Sequence, residues 1–435
     1  MTPLTLAGAA PVLRPPVRPG LTELRLTACA AHLGTTFGCG PLTFLSGPSG
    51  SGRTSALRGY EALARLGGGA PLDETFPDPG AWVPERARPD PQRRRGFRLG
   101  CTTAGPAGPV RLDLTIQAEP ELRLVAERLT TADGTVLLSS ALRDPRRRTV
   151  QAAWHTGGGA RVTHAPLPDD RLGTALLPLR VAGSTEGQRL VLAAAEQLVV
   201  ALRSVFVCDP RPDRMRALAT ATPATAPGRA GTRPGPEHGR LRTDCGNLAA
   251  VLRRTRAECP QRHARFVAAA RAGCAGPVAD VRTEDRPDGT VRAVLDRGDG
   301  HLTPLHRLGD GELRYLALAL VLLTGPGVLD VDPVAEVPAA FQCLTVLADD
   351  FDRCLDNRQT RALARLAASM CARGHVRLVG SVRDATAVRE GVAAAGTAAD
   401  GHHPAGDGYG AGDGYRSEGG HGSEAGMLTV VDLGR

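Results

Sequence analysis

Gly47, Pro48, Ser49, Gly50, Ser51, Gly52, Arg53, Thr54 and Ser55 form a glycine-rich turn between an apolar run, 41–45, and a helical pattern, 56–66. Glycines let successive backbone N–H groups turn inward, and the helix start adds a partial positive charge, so the turn can cradle a phosphate. Gly47, four intervening residues, Gly52, a cation and a hydroxyl follow the phosphate-loop pattern, with Arg53 where lysine is usual. The Thr54 hydroxyl is expected on Mg²⁺. A planar guanidinium takes more room beside phosphates than a compact ammonium.

Two later stretches carry complementary chemistry. Residues 343–348 are an apolar, β-favouring run ending in Asp349 and Asp350. A fully apolar run suits a strand covered on both faces, and the C-terminal edge of such strands is where open α/β sheets bind ligands. Asp349 is placed to hold Mg²⁺ through water, and Asp350 to orient or deprotonate an attacking water. The turn Gly309-Asp310-Gly311 opens directly into an apolar helix, 312–320, whose first N–H groups could face a second phosphate.

The elements that must position these groups follow from periodicity. Residues 21–28, 110–117, 122–129 and 135–138 alternate like strands, with a turn at Asp133-Gly134, and imply an antiparallel section. Residues 187–206 have helical spacing, Asn247 is placed to cap a helix at 248–257, and Pro260 starts another that reaches 272. Strands are expected at 278–283 and 290–295, a helix at 358–372, and a buried strand at 375–379. No stretch between the two glycine turns sustains heptads, which excludes a long coiled-coil arm.

Composition narrows the class. The 435 residues contain 53 basic side chains, all arginine, and the net charge of +8 is spread along the chain. Aromatics are 3%, too few to build stacking platforms for single-stranded nucleic acid. Ten cysteines without a Cys-x-x-Cys pair, and no apolar run of the roughly 20 residues that span a bilayer, lead to the expectation of a reduced, cytoplasmic protein with no membrane partner. Residues 391–426 are Gly, His, Asp, Tyr and Ser in low complexity, with His402, His403 and His421 as weak metal candidates, and 427–433 reads as a last strand.

Taken in order, these stretches resemble the ABC-type ATPase head of RecF, SMC and overcoming-lysogenization-defect proteins, most closely the coiled-coil-free AAA family ATPases predicted in bacteria. Leu308 to Arg314 matches a helix start reading Leu-Ser-Asp-Gly-Thr-Leu-Arg, and Asp244-Cys245-Gly246-Asn247-Leu248 matches an Asp-Gly-x-Asn-Leu stretch. The resemblance covers most of residues 21–390. It implies an α/β P-loop NTPase with a parallel core sheet, an antiparallel β section and a helical lobe. The divisions expected are a loose 1–20, a head at 21–390, the low-complexity 391–426 and a terminal strand at 427–435. Within the head fall a P-loop lobe (21–66), the β section (100–180), the helical lobe (187–325) and the Asp349 half (340–390).

The same resemblance implies ATP and Mg²⁺, and a homodimer holding two nucleotides head to tail. Each phosphate loop would be capped by Gly309, Asp310 and Gly311 of the other copy. The sequence departs from that pattern at Arg53, at Gly309 where serine is usual, and at Asp350 where glutamate is usual. Gly380-Ser381-Val382-Arg383 stands where a switch histidine is expected, and Gln92 and Gln117 are the candidates for a γ-phosphate sensor. These departures point to slow hydrolysis. A nucleotide-gated interaction module without turnover, and a RecF-like DNA-associated ATPase, stay open as alternatives.

Overall fold

The computed structural model describes residues 17–156, 162–217, 219–220, 239–331, 337–338, 341–399 and 427–434. Alternating apolar residues build a first, antiparallel sheet. Its strands are β1 (Gly20–Cys29) and β2 (His32–Gly38), then, after β3 (Leu42–Ser46) has left for another sheet, β4 (Arg95–Ala104), β5 (Val110–Glu119), β6 (Arg123–Thr131), β7 (Val136–Ala141), β8 (Thr149–His155) and β9 (Val162–Pro168). The order is β2-β1-β4-β5-β6-β7-β8-β9. The strand read at 21–28 therefore lies inside this antiparallel sheet, between β2 and β4, although β3 follows it directly in the chain.

The second sheet is parallel. It orders β10 (Val205–Val207), β15 (Leu344–Ala348), β16 (Val376–Val382), β3 and β17 (Leu428–Asp432), and every described pairing in it is parallel. A smaller sheet joins β11 (Ala219–Thr220), β12 (Asp280–Asp285), β13 (Thr290–Asp296) and β14 (Leu302–Pro304). β15 is buried along its whole length, as its unbroken apolar sequence requires of a strand covered on both faces. Leu344 and Val346 join one hydrophobic cluster and Leu347 the other, the two-residue alternation of a pleated strand.

Helices fill the faces. α1 (Arg53–Gly67) packs against α4 (Glu186–Arg203), and both lie between the two large sheets, α1 touching β16 and β1 and α4 touching β1 and β4. On the other side, α8 (Asp310–Leu323) packs on α7 (Pro260–Gly273) and α9 (Asn357–Cys371), and α10 (Thr386–Ala399) lies along α9. α6 (Leu248–Glu258) covers the small sheet. Three helices of four residues, α2 (Leu72–Thr75), α3 (Gly173–Leu176) and α5 (Pro212–Met215), complete the α-helices among the described residues.

Three readings change. The helix expected over 187–206 stops at Arg203, because 205–207 pair with β15 as a strand. Asn247 stands at the start of α6, but its side chain makes no cap there. Its Oδ1 accepts from the Arg242 N–H at 3.1 Å and its Nδ2 donates to the Arg240 carbonyl at 2.7 Å, fixing the approach to the helix instead. Residues 391–399, read with the low-complexity stretch, are helical and continue α10. The remainder of that stretch, with His402, His403 and His421, falls outside the described residues. The terminal strand does return to the fold, as β17 against β3.

Candidate functional site

β3 delivers the chain to the C-terminal edge of the parallel sheet, where it turns through the glycine loop into α1. Gly47, Gly50 and Gly52 have φ of 150°, 84° and 92°, values that suit glycine and strain other residues. A Cβ on Gly47 would stand 2.8 Å from Ser51 Oγ, and one on Gly52 2.8 Å from the His32 ring. Pro48 lies against Gly434, just beyond β17, and Pro48, Ser49 and Gly50 are exposed.

The loop leaves its donors open. Ser51 N–H donates to the Pro48 carbonyl at 3.2 Å, and Ala56 N–H to the Gly52 carbonyl at 2.9 Å. Among the described residues, no acceptor is found for the N–H groups of Gly50, Gly52, Arg53 or Thr54. Ser51 Oγ and Arg53 Nη1 are buried with no partner. Buried polar atoms are nearly always satisfied, so Ser51 Oγ and Arg53 Nη1, beside open loop N–H groups, fit an anion seated in the loop.

Thr54 and Asp349 meet. Thr54 Oγ1 donates to Asp349 Oδ2 at 2.8 Å across 295 residues of sequence. Ser381, on the intervening strand β16, donates to Asp349 Oδ1 at 2.5 Å and accepts the Asp350 N–H at 2.8 Å. The serine standing in place of the expected histidine thus orients the carboxylate. Asp350 adopts φ 47°, a left-handed conformation that Asp and Asn tolerate best among side chains bearing a Cβ. That gives a local reason for aspartate where the related pattern has glutamate. Its carboxylate makes no bond among the described residues and is available to a water. No group of three or more His, Cys, Asp or Glu suited to a metal occurs among the described residues. A divalent ion here would draw on one carboxylate, one hydroxyl and the phosphates themselves.

His32 is a site residue that the sequence did not signal. It is buried, with Nε2 3.0 Å from the Gly52 carbonyl and Nδ1 3.0 Å from Thr35 Oγ1. A carbonyl can only accept, so Nε2 carries the proton and Nδ1 accepts from the hydroxyl. Burial lowers its pKa below 6.5, with the Gly52 bond opposing in part. A neutral imidazole therefore tethers the end of the phosphate loop.

The second glycine turn opens α8, which packs on α7, α9 and α5, while α1 packs on α4, β16 and β1. Gly309 is exposed, extended, and has no atom within 4 Å of where a Cβ would stand. Gly311 is closed in, because a Cβ there would collide with the Cys354 carbonyl. The Asp310 carboxylate is paired with Arg216 at 2.5 Å, so an anion at this turn would meet the backbone N–H groups and not a free acid. Arg314, one turn into α8 and 2% exposed, reaches across to the edge of the parallel sheet and donates to the carbonyls of Asp350, Pro210 and Arg353. Neither glutamine candidate bonds to the loop. Gln117 donates to the Glu121 carbonyl, and Gln92 accepts from Arg94 on an exposed turn.

No family model matches the chain, and no curated protein does. Among solved structures it is similar to an SMC head bound to the C-winged helix domain of ScpA, at 12% identity over 85% of this chain and 92% of that one, with a TM-score of 0.43. It is similar also to the SMC head domain from Thermotoga maritima, at 12% identity over 86% and 92%, with a TM-score of 0.38. A third is the Smc head domain with an extended coiled coil bound to the C-terminal domain of ScpA derived from Pyrococcus furiosus, at 9% identity over 86% and 92%, with a TM-score of 0.41. These structural neighbours are heads of the ABC-type ATPase class. Their TM-scores lie below 0.5, and the assignment of the site rests on the chain's own geometry.

Proposed function

We propose that this protein binds Mg²⁺-ATP through the loop from Gly47 to Ser55, and hydrolyses it slowly in a dimer of the ABC-type head class. The observation that carries this reading is the Thr54–Asp349 bond. Two residues far apart in sequence, both expected in the metal roles of a nucleotide site, meet beside a loop in which the N–H groups of Gly50, Gly52, Arg53 and Thr54 have no acceptor among the described residues. When bound, Mg²⁺ neutralises charge on the transferred phosphate, and Thr54 and Asp349 are the residues that would hold it.

The chain's own groups divide the remaining work. Gly50, Gly52, Arg53 and Thr54 present N–H groups to phosphate oxygens, and Arg53 adds a guanidinium whose Nη1 is unpaired. Asp350, fixed at its N–H by Ser381 and at its carbonyl by Arg314, holds the attacking water and takes its proton. Gly309, Asp310 and Gly311 cap the nucleotide of a second copy, as the resemblance to ABC-type heads implies. Association and hydrolysis together then form a dimerising switch.

A nucleotide-gated module without turnover is the second reading, and the shortened Asp350 and the bare Gly309 favour it. The experiment that tests ATP binding is calorimetric titration of wild type and Thr54→Ala. Loss of the Mg²⁺-dependent part of the affinity in the variant, about tenfold or more, supports the site. Equal affinities with and without Mg²⁺ in both proteins would remove it.

A further inference from the structure

Arg216, just beyond α5, is not part of any motif, yet it sits on the capping turn. Its Nη2 donates to the Leu308 carbonyl at 3.0 Å and to Asp310 Oδ1 at 2.5 Å. A guanidinium has five N–H donors, and these two bonds occupy only Nη2. Nε and Nη1 have no partner among the described residues. The side chain is 36% exposed, beside Gly309, whose missing side chain leaves open space on the same turn. The related pattern has a serine hydroxyl where Gly309 stands, so this turn lacks one phosphate donor. It also carries a carboxylate, Asp310, that would repel phosphate if left uncompensated.

We propose that Arg216 supplies that donor in trans, contacting the terminal phosphate of the nucleotide held by a second copy of the chain while it neutralises Asp310. The Leu308 carbonyl and the Asp310 carboxylate hold Nη2, and Nη1 and Nε keep their donors for another acceptor. A planar fork suits a phosphate oxygen pair better than a single hydroxyl would. Arg216 is thereby a specificity residue for a terminal phosphate, and ATP is favoured over ADP in the associated state. This proposal rests on the head-to-tail ATP reading given above.

The test is ATP-dependent association, measured by sedimentation with Mg²⁺-ATP and with Mg²⁺-ADP. The variants are Arg216→Ala and the double variant Arg216→Ala/Asp310→Asn. Wild type is expected to associate with ATP and not ADP. Arg216→Ala should bind ATP as a protomer like wild type but associate about tenfold or more weakly, and the double variant should stay weak. An equimolar mixture of Arg216→Ala and Thr54→Ala protomers should associate where neither does alone, because the mixed pair keeps one intact composite site.

Recovery in the double variant would show that Arg216 merely cancels Asp310, and would overturn the proposal. Wild-type association by Arg216→Ala, or an inert mixture, would overturn it too. Failure of the wild type itself to bind ATP would instead strike the underlying reading, and is seen before any variant is compared.

Discussion

Arg314 Nη2 donates to the backbone carbonyl of Asp350 at 3.0 Å, joining the helix that starts at the capping turn to the residue that closes β15. The same guanidinium holds the carbonyls of Pro210 at 2.8 Å and Arg353 at 3.2 Å. Three segments are therefore fixed by one buried side chain. A shift of α8 on meeting a second copy would be felt at the Asp350 backbone, which is how capping could be coupled to hydrolysis.

Replacing Arg314 by Ala removes three hydrogen bonds, of which the one to the Pro210 carbonyl is buried and those to Asp350 and Arg353 part-buried. Each loss costs about 1 kcal/mol or more, so the variant should be about 3 kcal/mol less stable. Arg314→Lys should recover less than half, because an ammonium cannot reach three divergent carbonyls from one point. Urea unfolding of the three proteins measures this, and a Lys variant as stable as wild type would show that charge alone matters.

The two glycines of the capping turn should respond in opposite ways. Gly309→Ser enters open space at φ −64°, so stability should change by no more than about 0.5 kcal/mol, and the restored hydroxyl should raise ATP turnover. Gly311→Ala drives a methyl into the Cys354 carbonyl and should destabilise by about 2 kcal/mol. Thermal denaturation alongside a phosphate-release assay separates the two effects. A Gly309→Ser variant with unchanged turnover and association would argue that this turn meets no phosphate.

His32 gives a pH dependence with a defined sign. Its pKa is lowered in the folded chain relative to 6.5, so the unfolded chain binds more protons between the two values. The stability it contributes is fully present above about pH 6.5 and is lost as pH falls below that. The stability of wild type relative to His32→Gln should therefore shrink between about pH 7.5 and pH 5.5. A difference that stays constant over that range would mean the imidazole is not held neutral against Gly52.

How much of this was legible depended on whether the signal was local. The glycine loop, the buried strand ending in Asp349 and Asp350, and the helix after Gly309 are each encoded within about a dozen residues by turn chemistry and apolar periodicity. His32 and Ser381 make their contacts only when strands from distant parts of the chain become neighbours, and Arg216 only when the end of α5 meets the turn before α8. His32 meets Gly52 because the β1–β2 hairpin lies over the loop, and Ser381 meets Asp349 because β16 pairs with β15. β10 was misread for a related reason. Val205–Val207 continues the apolar pattern of α4, and only the parallel pairing with β15 makes it a strand.

The central claim is a nucleotide site completed by a second copy and working as an enzyme, and the most direct measurement is ATP turnover per protomer across a range of protein concentrations, with Asp350→Asn as control. Asparagine tolerates φ 47° as aspartate does, so the variant should keep its fold. Turnover that is slow, rises with concentration and vanishes in Asp350→Asn is the predicted result. Turnover per protomer that is independent of concentration, or undiminished in the variant, would contradict the account.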